Sequence, residues 1–232
     1  MAAADPQLVA DLVDANHILF NERVLDGFGH VSARHDKDPG RFLLARNLAP
    51  ALVTAGDLQE YDLECNTSDT RRPYLERFIH SEIYRARPDV MAVVHSHSPA
   101  IIPFGITGER LRPVFHMCGF LGGPAPVFEI RDAGGANTDM LVRNQELGAA
   151  LAKTLGARPF ALMRGHGSVA VGPSVKHVVF RAIYAEVNAR LQQDAMLIGE
   201  VTYLNEAEAA NADKANMANL ERPWELWKSR LC

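Results

Sequence analysis

The sequence runs to 232 residues with 47% hydrophobic and 22% charged side chains, enough for one α/β domain with a core of its own. A formal charge of −4 and no apolar run near the ~20 residues of a bilayer span argue against nucleic-acid and membrane partners. Cys65, Cys118 and Cys232 form neither a disulfide framework nor a CxxC knuckle, and the opening MAAADPQLVADLVDAN is acidic where a signal peptide is basic, so a cytoplasmic protein is expected.

In chain order, Asp5 followed by Pro6 reads as an N-cap with proline at the first helical position. Leu8, Val9, Leu12, Val13 and Leu19 then carry a helical stripe to about Glu22. The segment GFGHVSARHDKDPGRFLLAR predicts two short strands around a DPG turn, and APALVTAGDLQEYDLE a short turn followed by a strand. A helix is expected from Tyr74 to Arg87, closed by Pro88. VMAVVHSHSP follows as a buried strand, and a Pro/Gly-punctuated region runs from Pro99 to Gly135. NTDMLVRNQELGAALAKTLG predicts a helix, PFALMRGHGSVAVGP a hairpin turning near Gly165, and Ser174 to about Gly199 a long buried helix. With no linker or repeat, one domain over 1–232 is the economical reading. The tail 205–232, which holds Trp224 and Trp227, is expected at a subunit interface.

The sharpest chemical signal is His95-Ser96-His97. Residues two apart on a strand project from the same face, so two imidazoles there suit one borderline metal ion. Two polar histidines satisfied by backbone at a strand end fit the same pattern. His166, between Gly165 and Gly167 at the hairpin, is a third ring able to reach a site shared with another strand, or an exposed turn histidine. Glu76 opens the helix that leads into the His95 strand. A carboxylate there serves as ligand or as acid/base beside a metal, or as a helix-start acid favoured by the macrodipole.

Four segments taken together, G-H-V-S (29–32), L-E-R-F-I-H (75–80), R-P-D-V-M-A-V-V-H-S-H (87–97) and G-H-G (165–167), resemble the class II aldolase/adducin family from about residue 5 to 200. The resemblance implies a three-layer α/β/α fold with a central mixed, largely antiparallel sheet. It implies a homotetramer with sites between subunits and one divalent metal per subunit. That metal would be held by His95, His97 and His166, with Glu76 as acid/base and resting ligand. Zinc is the first expectation; manganese, iron and cobalt suit the same donors.

Departures from the family's sugar-phosphate aldolases narrow the expected substrate. His30 stands where they carry asparagine, Arg46-Asn47 where they carry Thr-Gly, and Tyr74-Leu75 where they carry Ser-Ser. His116 takes the place of a proton-donating tyrosine. A lost phosphate cradle resembles the family's decarboxylase branch, which acts on hydroxylated aromatic or pyridine dicarboxylates. On that resemblance the substrate is a small carboxylate such as a dihydroxyphthalate, bound by His30, Arg46 and Asn47, with Glu76 or His116 delivering the proton. Arg46 also fits a solvated cap or a salt bridge. Phe115, Met117 and Phe120 fit either a wall for the ring or core. Arg71 and Arg72 are expected in solvent, and His80 in a structural or surface role. An aldolase for an unphosphorylated hydroxy-keto acid or sugar is the alternative, and an adducin-like structural module a third reading disfavoured by the intact ligand set.

Overall fold

The computed structural model describes residues 3–231, so the reading of the N-terminus at Met1 and Ala2, and that of Cys232, lie outside it. Fifteen helices and strands are built in this order: α1 (Pro6–Asn21), β1 (His30–Arg34), β2 (Arg41–Ala45), β3 (Leu58–Asp62), α2 (Arg77–Ala86), β4 (Ala92–Ser96), α3 (Ile102–Ile106), β5 (Val127–Phe128), α4 (Arg131–Gly134), α5 (Gln145–Leu155), β6 (Phe160–Met163), β7 (Gly167–Gly172), α6 (Val175–Ile198), α7 (Glu206–Met217) and α8 (Glu221–Lys228). Short 3-10 turns at 50–52, 55–57 and 116–121 complete the regular structure.

The strands form one seven-stranded sheet in the order β3-β2-β1-β4-β7-β6-β5. Every neighbouring pair is antiparallel except β5 with β6. Pleat alternation sends Val31, Ala33, Leu43, Ala92 and Val94 to one face, where α1, α6 and α8 cover them. Phe42, Leu44, Val93, Val169 and Val171 point to the other, under α2 and α5. Three layers result because each face of the sheet is apolar and needs its own helical cover.

Helix ends follow local chemistry. The Asp5 side chain accepts from the Gln7 N–H, and the Ser174 hydroxyl from the His177 N–H, satisfying donors that a first helical turn leaves free. One expectation is corrected. Residues 137–144 are not helical: α5 begins at Gln145, where the Asn144 side chain caps Leu147 N–H. Trp224 and Trp227 are buried in the chain's own core against α6 and α1. Helix α7 packs on the 116–121 turn.

No helix among the described residues is long and apolar enough to cross a membrane. Cys65 and Cys118 are buried free thiols, each with its pKa pushed up by burial, Cys65 to about 11.

Candidate metal centre

Strand β4 lies at the middle of the sheet and ends at Ser96, which brings His95 to its last turn of ladder and His97 just beyond it. Both rings share the α2/α5 face with Val93, as a period of two requires. The β6–β7 hairpin delivers His166 from the adjacent strand. Gly165 adopts a left-handed φ of +61° to turn the chain. At Gly167 a Cβ would lie 2.0 Å from the Ser96 carbonyl oxygen, so only glycine lets the hairpin come this close to β4. Beyond His97 the buried Glu186 of α6 accepts hydrogen bonds from the Ser98 hydroxyl and, at 3.2 Å, from the Ala100 N–H. Those contacts fix the loop that leaves the site.

The three Nε2 atoms converge. His97 Nε2 lies 3.1 Å from His95 Nε2 and 3.0 Å from His166 Nε2. Glu76 Oε2 is 3.5 Å from both His95 Nε2 and His166 Nε2. One ligand atom from each of the four residues falls within 4.8 Å of the others. Tetrahedral ligands about 2.0–2.1 Å from an ion lie about 3.3–3.4 Å apart, so the donors surround a space of the right size.

Proton placement supports the same reading. His95 Nδ1–H donates to the Ser168 carbonyl at 3.1 Å, and His166 Nδ1–H to the Met140 carbonyl at 2.9 Å. Because carbonyls only accept, each of these Nδ1 atoms carries a proton, and the inward Nε2, which faces Glu76, is the atom left to bind an ion in place of a proton. Burial lowers the His97 pKa to about 4, with His95 and His166 adding to the effect, so this ring is neutral at pH 7. Burial pushes the Glu76 carboxyl up, but hydrogen bonds with His166 and His95 outweigh it and hold the group below the usual carboxylate range. Glu76 Oε1 accepts from Val142 N–H at 2.9 Å, leaving Oε2 for the centre. Three imidazole Nε2 atoms and one carboxylate, all aimed at a point, fit a divalent cation.

Residues 137–144 now have a reason to leave the helix. Met140 sits at a left-handed φ of +71°, its carbonyl takes the His166 proton, and Val142 N–H anchors Glu76. A helix through this stretch would keep those groups for itself.

A cavity of about 460 Å³ opens beside the cluster, lined by Glu76, His97, His30, Asn47, Arg72 and an apolar set made of Phe28, Leu48, Tyr74, Leu75 and Leu141. A second cavity, about 430 Å³, lies on the other side of His97, but Glu76 does not line it. The substrate residues named from sequence divide. His30 and Asn47 line the first cavity. Arg46 does not: its Nε donates to Asp57 Oδ1 at 2.7 Å, the salt-bridge role. Arg72 replaces it, lining the cavity with no ion-pair partner among the described residues, where solvent alone was expected. His116 lines a separate cavity with Met117, Phe180 and Tyr184, away from the four ligands within one chain. Phe120 is core, with Phe115 and Met117 packed against it.

Comparison with known proteins then fixes the lineage. The family described as "Class II Aldolase and Adducin N-terminal domain" matches residues 10–193. The chain belongs to that family. Within it, the chain is 37% identical to the decarboxylase tropJ of Talaromyces stipitatus, over 94% of this chain and 92% of that protein. It is 34% identical to the 3,4-dihydroxyphthalate decarboxylase of a Terrabacter strain, over 82% of this chain and 80% of the relative. An aldolase II superfamily protein from Pseudomonas syringae superposes with a TM-score of 0.81 at 21% identity, covering 100% of this chain and 94% of that one. This likeness shows the class II aldolase fold.

His80, which sequence reasoning left structural, is a residue it missed. Glu76, His80 and Tyr84 recur every four residues and form one stripe of α2. His30, Ser32 and Arg34 alternate on β1 and form the facing stripe. His30 Nδ1 meets His80 Nε2 at 2.6 Å, His80 Nδ1 meets Ser32 Oγ at 2.6 Å, and Ser32 Oγ meets the Tyr84 hydroxyl at 2.7 Å. Burial lowers the His80 pKa to about 3, helped by His95, and lowers that of His30 well below its ordinary value, helped by His80 and His95. The signal was present as two matched polar periodicities, E-x3-H-x3-Y on a helix and H-x-S-x-R on a strand.

Proposed function

We propose that this chain is a divalent-metal-dependent decarboxylase of a hydroxylated aromatic dicarboxylate resembling dihydroxyphthalate. The observation that carries the reading is the cavity that joins the Glu76–histidine cluster to Arg72 past apolar side chains. An aromatic ring fits between Phe28, Tyr74, Leu75 and Leu141, while a guanidinium without a carboxylate of its own binds a planar carboxylate with two parallel hydrogen bonds. The printed names of the two decarboxylase relatives point the same way. Tyr74 and Leu75, which take the place of a hydroxyl-rich phosphate cradle, disfavour a sugar phosphate.

In this reading His95, His97, His166 and Glu76 hold the ion. A bound divalent ion supplies Lewis-acid stabilisation of the charge that remains when the carbon–carbon bond breaks. Arg72 orients one carboxylate, and the apolar wall keeps water from the ring. The other carboxylate leaves as carbon dioxide, its bonding pair staying on the ring carbon. A proton must then reach that carbon. Glu76 is ionised at rest, so it takes up one proton from solvent in each turnover and then delivers it to the ring carbon from Oε2. His116 stays in the proposal as a group contributed by a neighbouring copy of the chain in a tetramer. Zinc is the proposed metal and the cytoplasm the proposed compartment.

The test is carbon dioxide release from 3,4-dihydroxyphthalate by metal-stripped protein, alone and after zinc, manganese or cobalt is restored. Release that returns with metal and is lost in Glu76→Gln is expected. No release with any metal, together with an aldehyde product from a hydroxy-keto acid, would replace the decarboxylase by an aldolase.

A further inference from the structure

The buried chain from His30 to Tyr84 has a direction that hydrogen-bond accounting determines. The Tyr84 hydroxyl is buried, and Ser32 Oγ is its partner among the described residues. A buried phenol that keeps its proton must place it on an acceptor, because leaving a buried donor unmatched costs roughly 1–3 kcal/mol. The Tyr84 O–H therefore donates to Ser32 Oγ. The serine proton is then free to go only to His80 Nδ1, which makes that nitrogen the acceptor. His80, neutral with a bare Nδ1, carries its proton on Nε2 and donates it to His30 Nδ1. His30 in turn has a bare Nδ1 and a protonated Nε2. Running the chain the other way would strand the Tyr84 proton among Phe42 and the aliphatic core.

His30 Nε2 is the end that faces outward. No hydrogen bond among the described residues uses it, it is not among their buried unpartnered atoms, and His30 lines the cavity beside Glu76 and Arg72. The ring is wedged between Tyr74, with centroids 4.7 Å apart, and His95, 5.1 Å away, and β1 pairs it directly across from His95. We infer that Tyr84, Ser32 and His80 are positioning residues that lock His30 as the neutral Nε2–H tautomer, so that His30 offers the cavity a fixed hydrogen-bond donor for an anionic substrate oxygen. The two histidine sets of the site thus present opposite faces. The metal ligands turn lone pairs toward the substrate side, and His30 turns an N–H. A donor that carries no charge strengthens its bond as negative charge gathers on the substrate oxygen, without adding a cation beside the metal. Its use on a substrate oxygen rests on the proposed decarboxylase reading; the tautomer does not.

The experiment is a long-range proton–nitrogen correlation on histidine-labelled protein with zinc bound, His30 being assigned by its loss in His30→Gln. A protonated Nε2 with a bare Nδ1 is expected. A protonated Nδ1, or protons on both nitrogens, would overturn the proposal. In Tyr84→Phe the terminal donor is gone, and His30 should lose its single tautomer; an unchanged tautomer would refute the chain as its origin. With an aromatic dicarboxylate as substrate, His30→Phe should lose roughly 10²–10³ in kcat, as when an oxyanion donor is removed. His30→Gln, which keeps an N–H donor, should recover most of that loss with little change in KM, and equal inactivity of both variants would rule out the donor role. If wild-type protein turns over no aromatic acid, the functional reading fails while the nitrogen spectrum still decides the tautomer.

Discussion

Two groups of buried histidines sit within one strand pairing of each other and do different things. His95 and His166 donate Nδ1–H to backbone carbonyls, acceptors that cannot reverse, and so point Nε2 at a shared centre. His30 and His80 are bonded through side-chain hydroxyls and each other, groups that both give and take, and their direction is decided at the far end by Tyr84. Burial lowers the pKa of His30, His80 and His97 alike. What separates ligand from donor is the partner of the second nitrogen, a lesson that residue type and burial alone do not teach.

The largest expected effect breaks the first group. Glu76→Gln keeps the shape of the side chain and removes its charge and proton capacity, so kcat should fall by about 10²–10⁴-fold, the range of a lost general acid/base. Metal content measured on the same sample separates ligand from acid/base: retained metal with lost turnover assigns proton transfer. Next comes the cavity that Glu76 and His30 line. Arg72→Met should raise KM for a dicarboxylate about 10- to 100-fold, the equivalent of a charge-assisted hydrogen bond worth about 1.5–3 kcal/mol. The matching Arg46→Met should leave KM near wild type, since Arg46 serves Asp57. Reversal of the two phenotypes would return the clamp to Arg46.

Acid stability sharpens the contrast from the side of the second group. His80 is neutral in the fold, with a pKa near 3 against about 6.5 in an unfolded chain, so unfolding takes up a proton at any pH between those values. Stability is full above pH 6.5 and is lost as pH falls toward 3, by up to about 1.4 kcal/mol per pH unit for this ring. Glu76, held below the usual carboxylate range, adds a loss in the same direction only below about pH 4.5. Between pH 6.5 and 4.5 the slope therefore belongs to histidines. Urea midpoints across that window should fall less steeply in His80→Gln than in wild type, and equal slopes would show that His80 is protonated in the fold.

The smallest effect lies in the 137–144 segment that braces the ligands from behind. Asn144→Ala removes the cap of α5, at a cost of about 1 kcal/mol in thermal or urea unfolding. Because that cap ends the segment carrying Met140 and Val142, metal affinity should weaken with it. Unchanged affinity would show that the two backbone contacts hold without the cap.

Much of this protein follows from local pattern. Strand and helix periodicity place β1, β2, β4, the β6–β7 hairpin and α6, because burial of one face imposes periods of two and 3.6 on the residues themselves. The spacing His95-Ser96-His97, the glycines around His166 and the helix-start Glu76 mark the candidate cluster before any fold is known, and the order of these motifs identifies the family. What the tertiary structure alone decides is pairing between distant segments. Residues 137–144 have helical composition, yet their backbone is claimed by Glu76 and His166 across the fold. Arg46 and Arg72 are equivalent on paper, and only the position of Asp57 tells which one is spent. Nothing local says that Trp224 and Trp227 pack under α6 and α1 in the chain's own core. Hydrogen bonds and ion pairs are set by three-dimensional proximity, which a periodicity along the chain does not encode, and so the partner of each polar group was the information that sequence withheld.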